Sequence, residues 1–253
     1  MGACASMLWW PDAFCRRLAE GGRHIIRYDN RDTGRSITYP PGQPGYSLDD
    51  LDDDAAGILD AYGVNRAHLV GMSLGGMIAQ VVALKYPERV SSLSLLMSSV
   101  FGPPNPDLPA PDARIVAYHR CSGSVDWKDR AAVVDYSVGG WRLLSGSAHA
   151  FDETTVRETA VREVNRSTNL PSMFNHALLK GWAQWYGKID QIRVPTLVIH
   201  GTEDPALPYQ HGIELARKIP GARLVTLNGT GHELNRGDWD KIIAAMLQHT
   251  AQS

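Results

Sequence analysis

Along the chain, short apolar, β-branched runs alternate with longer stretches in which apolar residues recur every three or four positions. That alternation predicts an α/β fold, a mainly parallel sheet flanked by helices. His24-Ile25-Ile26-Arg27-Tyr28 reads as a strand, followed by a polar, glycine-bearing loop from Asp29 to Ser36. Ser47 is placed to cap a helix whose inward face is Leu48, Leu51, Ala55, Ile58 and Leu59. That helix ends near Gly63, and Ala67-His68-Leu69-Val70 is the next strand. A helix from about Leu74 to Tyr86 is stopped by Pro87, because proline lacks the amide the helix needs. Val90 to Met97 reads as a strand. Much later come a strand at Thr196 to Ile199, a helix from about Tyr209 to Lys218, a short strand at Arg223 to Thr226, and a last helix from about Asp238 to His249.

The interval between Met97 and Thr196 breaks this rhythm. It opens on prolines 103, 104, 106, 109 and 111, which suit an extended linker. Helix-like segments follow, and a structureless loop of that length is improbable inside a compact domain. The reading is therefore a helical lid over residues 101–187, inserted into a core made of residues 1–100 and 188–253. Trp141, Phe174, Trp182, Trp185 and Tyr186 lie in the lid and are the candidate substrate-binding residues; packing within the lid's own core is the competing role for them.

Composition narrows the function. At 253 residues with 43% hydrophobic and 21% charged residues, the chain is an ordinary globular one. A formal net charge of −2 gives no electrostatic reason to expect a nucleic-acid or membrane partner. No apolar run is long enough to span a bilayer, and the start MGACASMLWW lacks the form of a secretory signal. Cys4, Cys15 and Cys121 are odd in number and lack metal-like spacing, so they are expected as reduced thiols in a cytoplasmic protein.

The sharpest chemical signal is Gly71-Met72-Ser73-Leu74-Gly75-Gly76, set where a strand meets a helix. A serine in that turn is projected above the sheet. Small residues two before and two after it avoid clashes, and the helix N-terminus faces any charge developing there. A serine nucleophile needs a base, and the base needs an orienting carboxylate. His232, in Gly229-Thr230-Gly231-His232-Glu233, lies beyond one strand's carboxyl end. Asp204, in His200-Gly201-Thr202-Glu203-Asp204-Pro205, lies beyond another. Glu203 and Asp107 are alternative acids. His200 and His68 read as packed strand-end histidines. The expected catalytic set is Ser73, Asp204 and His232, in the chain order this arrangement takes on such sheets.

Asp29-Asn30-Arg31-Asp32-Thr33-Gly34-Arg35-Ser36, the G-M-S-L-G-G turn, H-G-T-E-D-P, G-T-G-H and the segment from Trp10 to Gly22 together resemble the α/β-hydrolase superfamily. Within it, the chain is similar to the esterase group that includes aclacinomycin methylesterase, with 3-oxoadipate enol-lactonases and cofactor-free haloperoxidase-like esterases as neighbours. The resemblance implies a serine hydrolase that cleaves a small-molecule ester through an acyl-enzyme, with no metal or organic cofactor. A lactonase using the same residues, or a non-catalytic ligand-binding protein on the scaffold, are the alternatives. It also implies an oxyanion hole from the backbone amides of Leu74 and Ala3. Members carry two antiparallel strands and a central strand before the loop that matches Met1-Gly2-Ala3. These N-terminal strands are expected to be missing from the sheet: either the sequence lacks a natural upstream segment, or the strand at His24–Tyr28 moves over to pair with Ala67–Gly71.

Overall fold

The computed structural model describes residues 1–251. Four parallel strands, β1 (Ala67–Met72), β2 (Val90–Leu96), β3 (Thr196–Gly201) and β4 (Arg223–Leu227), form one sheet in that spatial order. Every residue of β3 is buried, and so is every residue of β2 but one, as expected of strands covered on both faces. Helices α2 (Leu48–Ala61), α3 (Leu74–Lys85) and α7 (Gln210–Lys218) contribute to the core on one face, built around Leu51, Val82, Leu93 and Leu215. On the other face, α1 (Asp12–Glu20) and α8 (Trp239–Ala251) pack Phe14, Leu18, Ile242 and Met246 against Leu197 and Ile199.

The patterned helices form where expected. Ser47 closes a capping box with Asp50 at the start of α2, which satisfies two orphan donors reciprocally. Helix α1 was not anticipated, although Phe14 and Leu18 stand one turn apart on a single buried face.

His24–Tyr28 is not a strand. Among the described residues it runs without regular hydrogen bonding and pairs with no strand, so it does not move over to β1. Instead it forms one wall of a cavity of about 390 Å³, and the free edge of β1 forms the facing wall through Ala67, His68, Leu69 and Val70. No backbone ladder joins the two walls among the described residues, and Ile25 packs on the core of the second face. Val70 is left 37% exposed at that edge.

The inserted segment is helical: α4 (Ala113–Arg120), α5 (Arg130–Leu144) and α6 (Glu153–Arg166), with 3-10 turns at Cys121–Ser124, Leu170–Leu178 and Ala183–Trp185. Val134, Val138 and Ala160 form its own small core, joined by Phe151, Val156 and Val164. Phe101 and Trp182, from the two ends of the segment, pack in the core of the main sheet. Among the described residues, no helix is long and apolar enough to cross a membrane.

Candidate active site

Ser73 is the hinge between β1 and α3, with φ 53° and ψ −122°. That backbone conformation is unfavourable for a residue with a side chain, costing on the order of 1–3 kcal/mol, and survives only where the surroundings impose it. Here they do. The Ser73 amide donates to the Leu96 carbonyl at 3.0 Å, and the Ser73 carbonyl accepts from Ser98 Oγ at 2.8 Å and from the Gly76 amide at 2.9 Å. The turn is so tight that a Cβ on Gly71 would lie 2.1 Å from the Gly75 carbonyl oxygen.

His232 and Asp204 meet beyond the carboxyl ends of β4 and β3. His232 Nδ1 lies 2.7 Å from Asp204 Oδ2, and both side chains are buried. Oδ1 of Asp204 accepts from the amides of Ala206 and Leu207 at 2.9 and 2.7 Å. His200 Nε2 lies 2.7 Å from the Leu207 carbonyl and 3.3 Å from Asp204 Oδ2. Burial alone would raise the Asp204 pKa; the facing charge of His232 and the hydrogen bonds from His200 and His232 outweigh it and hold the carboxyl well below the usual carboxylate range. Of the two rival acids, Glu203 is turned to Ser147, and Asp107 sits exposed in the proline-rich linker. The Ser73 hydroxyl makes no hydrogen bond to His232 among the described residues; such bonds are often long until substrate closes them.

The Gly2–Ser6 loop lies against the serine. A Cβ on Gly2 would sit 3.0 Å from Ser73 Cβ and 3.5 Å from its Oγ, which places Gly2, the residue before Ala3, beside the hydroxyl. Leu74 begins α3, so its amide lies at the helix N-terminus. The loop is held from outside by His176 and Glu163, which sequence reasoning had not singled out, and by Asp29 of the quoted motif. His176 Nδ1 accepts from the Cys4 amide at 3.0 Å while its Nε2 donates to the Arg31 carbonyl at 2.8 Å. Glu163, on α6, accepts from the Ser6 amide and from the Trp9 indole. Asp29 accepts from the Met7 amide at 2.8 Å and pairs with Arg166. Much of the Asp29–Ser36 motif is therefore scaffolding for this loop. Cys4 is no rival nucleophile, since burial, aided by nearby Glu163, pushes its thiol up to about 12.

The aromatic candidates divide. Trp141 stacks on Trp9 with ring centroids 4.2 Å apart, three residues before Leu144, whose carbonyl accepts from the His232 amide. Phe174 joins an edge-to-face cluster with Trp127, Tyr136 and His119, next to Met173, whose carbonyl accepts from Cys4 Sγ. Trp182 is 2% exposed in the main core, and its indole donates to Asp52 at 2.8 Å. Trp185 packs against the same core, and Tyr186 lies at its rim, over Phe101. Of these last three, Trp182 is held in the main core by Asp52 on α2 and by Phe101, while Tyr186 remains 40% exposed. The cavity beside β1 is not lined by Ser73, Asp204 or His232, and belongs to the sheet edge.

Residues 2–235 match the family described as the alpha/beta hydrolase fold. A rhodomycin D methylesterase from a Streptomyces species is 34% identical over 256 aligned positions, covering 95% of this chain and 86% of that protein. A crystal structure of a hydrolase from Pseudomonas aeruginosa is 27% identical and superposes with a TM-score of 0.70, covering 98% of this chain and 87% of the other. The enol-lactonase of Burkholderia xenovorans shares the fold at a TM-score of 0.73 with 22% identity, covering 99% and 88%. With the match spanning nearly its whole length, the chain belongs to the α/β-hydrolase fold family.

Proposed function

We propose that this protein is a serine hydrolase that cleaves a carboxylic ester, with a methyl ester of an apolar acid as the substrate class. The observation that carries this reading is the buried His232–Asp204 pair, 2.7 Å apart, set above the same sheet edge as the strained Ser73 turn. The similarity to a methylesterase supports the choice of leaving alcohol. Trp141 and Phe174, on the lid near the Ser73 and His232 loops, support an apolar acyl group.

In the mechanism, His232 takes the Ser73 proton while Oγ attacks the ester carbonyl, and the amides of Leu74 and Ala3 hold the oxyanion. Fixed amide dipoles need no reorganisation as charge develops, and losing one such donor typically costs about 3 kcal/mol. His232 returns the proton to the departing alkoxide, which leaves as the alcohol. A water activated by His232 then attacks the acyl-enzyme, releasing the acid and restoring Ser73. Asp204 fixes the tautomer of His232 and stabilises the imidazolium formed in both steps.

The test is turnover of p-nitrophenyl acetate and butyrate by the protein and by Ser73→Ala. The variant is expected to lose all but a trace of activity while keeping its thermal unfolding midpoint. Undiminished turnover in Ser73→Ala would remove Ser73 from the chemistry.

A further inference from the structure

After α5 ends at Leu144, residues 145–148 run as a strap along the loops that carry Asp204 and His232. The His232 amide donates to the Leu144 carbonyl at 2.7 Å, and the Ala148 amide donates to the Gly229 carbonyl at 2.8 Å. The backbones touch: a Cβ on Gly146 would lie 2.2 Å from the Gly229 oxygen, and one on Gly231 would lie 2.1 Å from the Leu144 oxygen. Two carboxylates complete the attachment. Glu233, next to His232, accepts from the Gly146 amide at 2.9 Å and from Ser145 Oγ at 3.1 Å. Glu203, next to Asp204, accepts from the Ser147 amide and Ser147 Oγ, both at 2.8 Å.

We infer that Glu203 and Glu233 are positioning residues, which fasten the lid strap across both loops so that the imidazole of His232 is held in its working orientation. The inference rests on the proposed serine-hydrolase reading. Each carboxylate uses both oxygens on the strap, and ionised acceptors make the stronger hydrogen bonds. The last residue of α5, Leu144, from which the strap leaves, in turn bonds the backbone of His232 itself. Loss of either carboxylate frees the strap at one end, and the histidine loop loses a fixed neighbour on its lid side. Small displacements of a base are costly in rate even where substrate still binds.

The test compares Glu203→Ala, Glu233→Ala, their glutamine counterparts and Ser73→Ala, each checked for folding by circular dichroism and assayed with p-nitrophenyl butyrate. Glutamine keeps one acceptor oxygen, so it serves as the conservative rescue. Each alanine variant should lose kcat by about 10-fold or more with KM changed less than about twofold, and glutamine should recover part of the loss. A second readout is independent of turnover: the far-downfield proton resonance of the His232–Asp204 hydrogen bond, identified by its absence in His232→Ala, should broaden in the alanine variants. An alanine variant that unfolds is replaced by its glutamine form, for which an intermediate kcat loss and partial broadening are expected. Full kcat with a sharp resonance in the folded variants overturns the inference while an inactive Ser73→Ala leaves the hydrolase reading standing. A loss confined to KM also overturns it. A fully active Ser73→Ala would overturn the hydrolase reading and this inference with it.

Discussion

At the scale of single residues, Ser73 and Asp204 show two ways in which a fold imposes chemistry. The strain at Ser73 is held by the sheet and by the absence of side chains at Gly71 and Gly75. The acidity of Asp204 is held by the two histidines facing it against the effect of burial. On the proposed mechanism, Asp204→Asn should keep the side chain's shape but leave His232 with the wrong tautomer, and kcat should fall roughly ten-thousand-fold. The same substitution has a pH signature. A carboxyl whose folded pKa lies below its unfolded value near 4 adds stability above that value, lost as pH falls toward the folded pKa. The stability advantage of the parent over Asp204→Asn, read from denaturant unfolding, should therefore shrink steadily below about pH 5. An advantage independent of pH would mean that Asp204 is not ionised against the histidines. The three candidate residues were legible in the sequence because each sits in a short local motif after a strand. Glu163 and His176 were not, because they act on the Gly2–Ser6 loop across long separations that no local pattern records.

Elements show where local reading fails. The segment His24–Tyr28 reads as a strand, but a strand is defined by its neighbours, and among the described residues this one pairs with none. Helix α1 carries a Pro11 start and the Phe14–Leu18 spacing, yet its nine residues are too few for periodicity to stand out from the loops around it. The segment between β2 and β3 was legible as a helical interruption, and its helices formed, but its boundary did not sort the aromatics. Trp182 was grouped with the lid by its position in the chain, whereas Asp52 on α2 and the ring of Phe101 place it in the main core. Trp182→Ala should consequently cost about 3–5 kcal/mol of unfolding free energy, as large core truncations do. A loss under about 1 kcal/mol with altered chain-length preference would return Trp182 to the cleft.

For the whole molecule, the sheet ends at two outer strands, β1 and β4, each paired on one side only among the described residues. The outer edge of β1 faces the apolar cavity behind His24–Tyr28, where Asn30, 4% exposed, keeps its Oδ1 without a partner. An unpaired edge exposes alternate amides of β1 to exchange, while those of β2 are bonded into the sheet between two neighbours. Amide hydrogen exchange should therefore be fast at alternate positions from Ala67 to Val70 and slow throughout Leu93 to Leu96. Uniform protection across β1 would mean that its outer edge is paired in solution.

The central claim is that Ser73 carries the acyl group between the two halves of the reaction. It is tested most directly by quenching the protein in acid during turnover of p-nitrophenyl butyrate and locating any added mass by peptide mass spectrometry. The account predicts a butyryl adduct on the peptide containing Ser73, absent in Ser73→Ala. Turnover that leaves no adduct on that peptide under conditions where a slow deacylating substrate also fails to label it, or an adduct on another residue, would contradict the account.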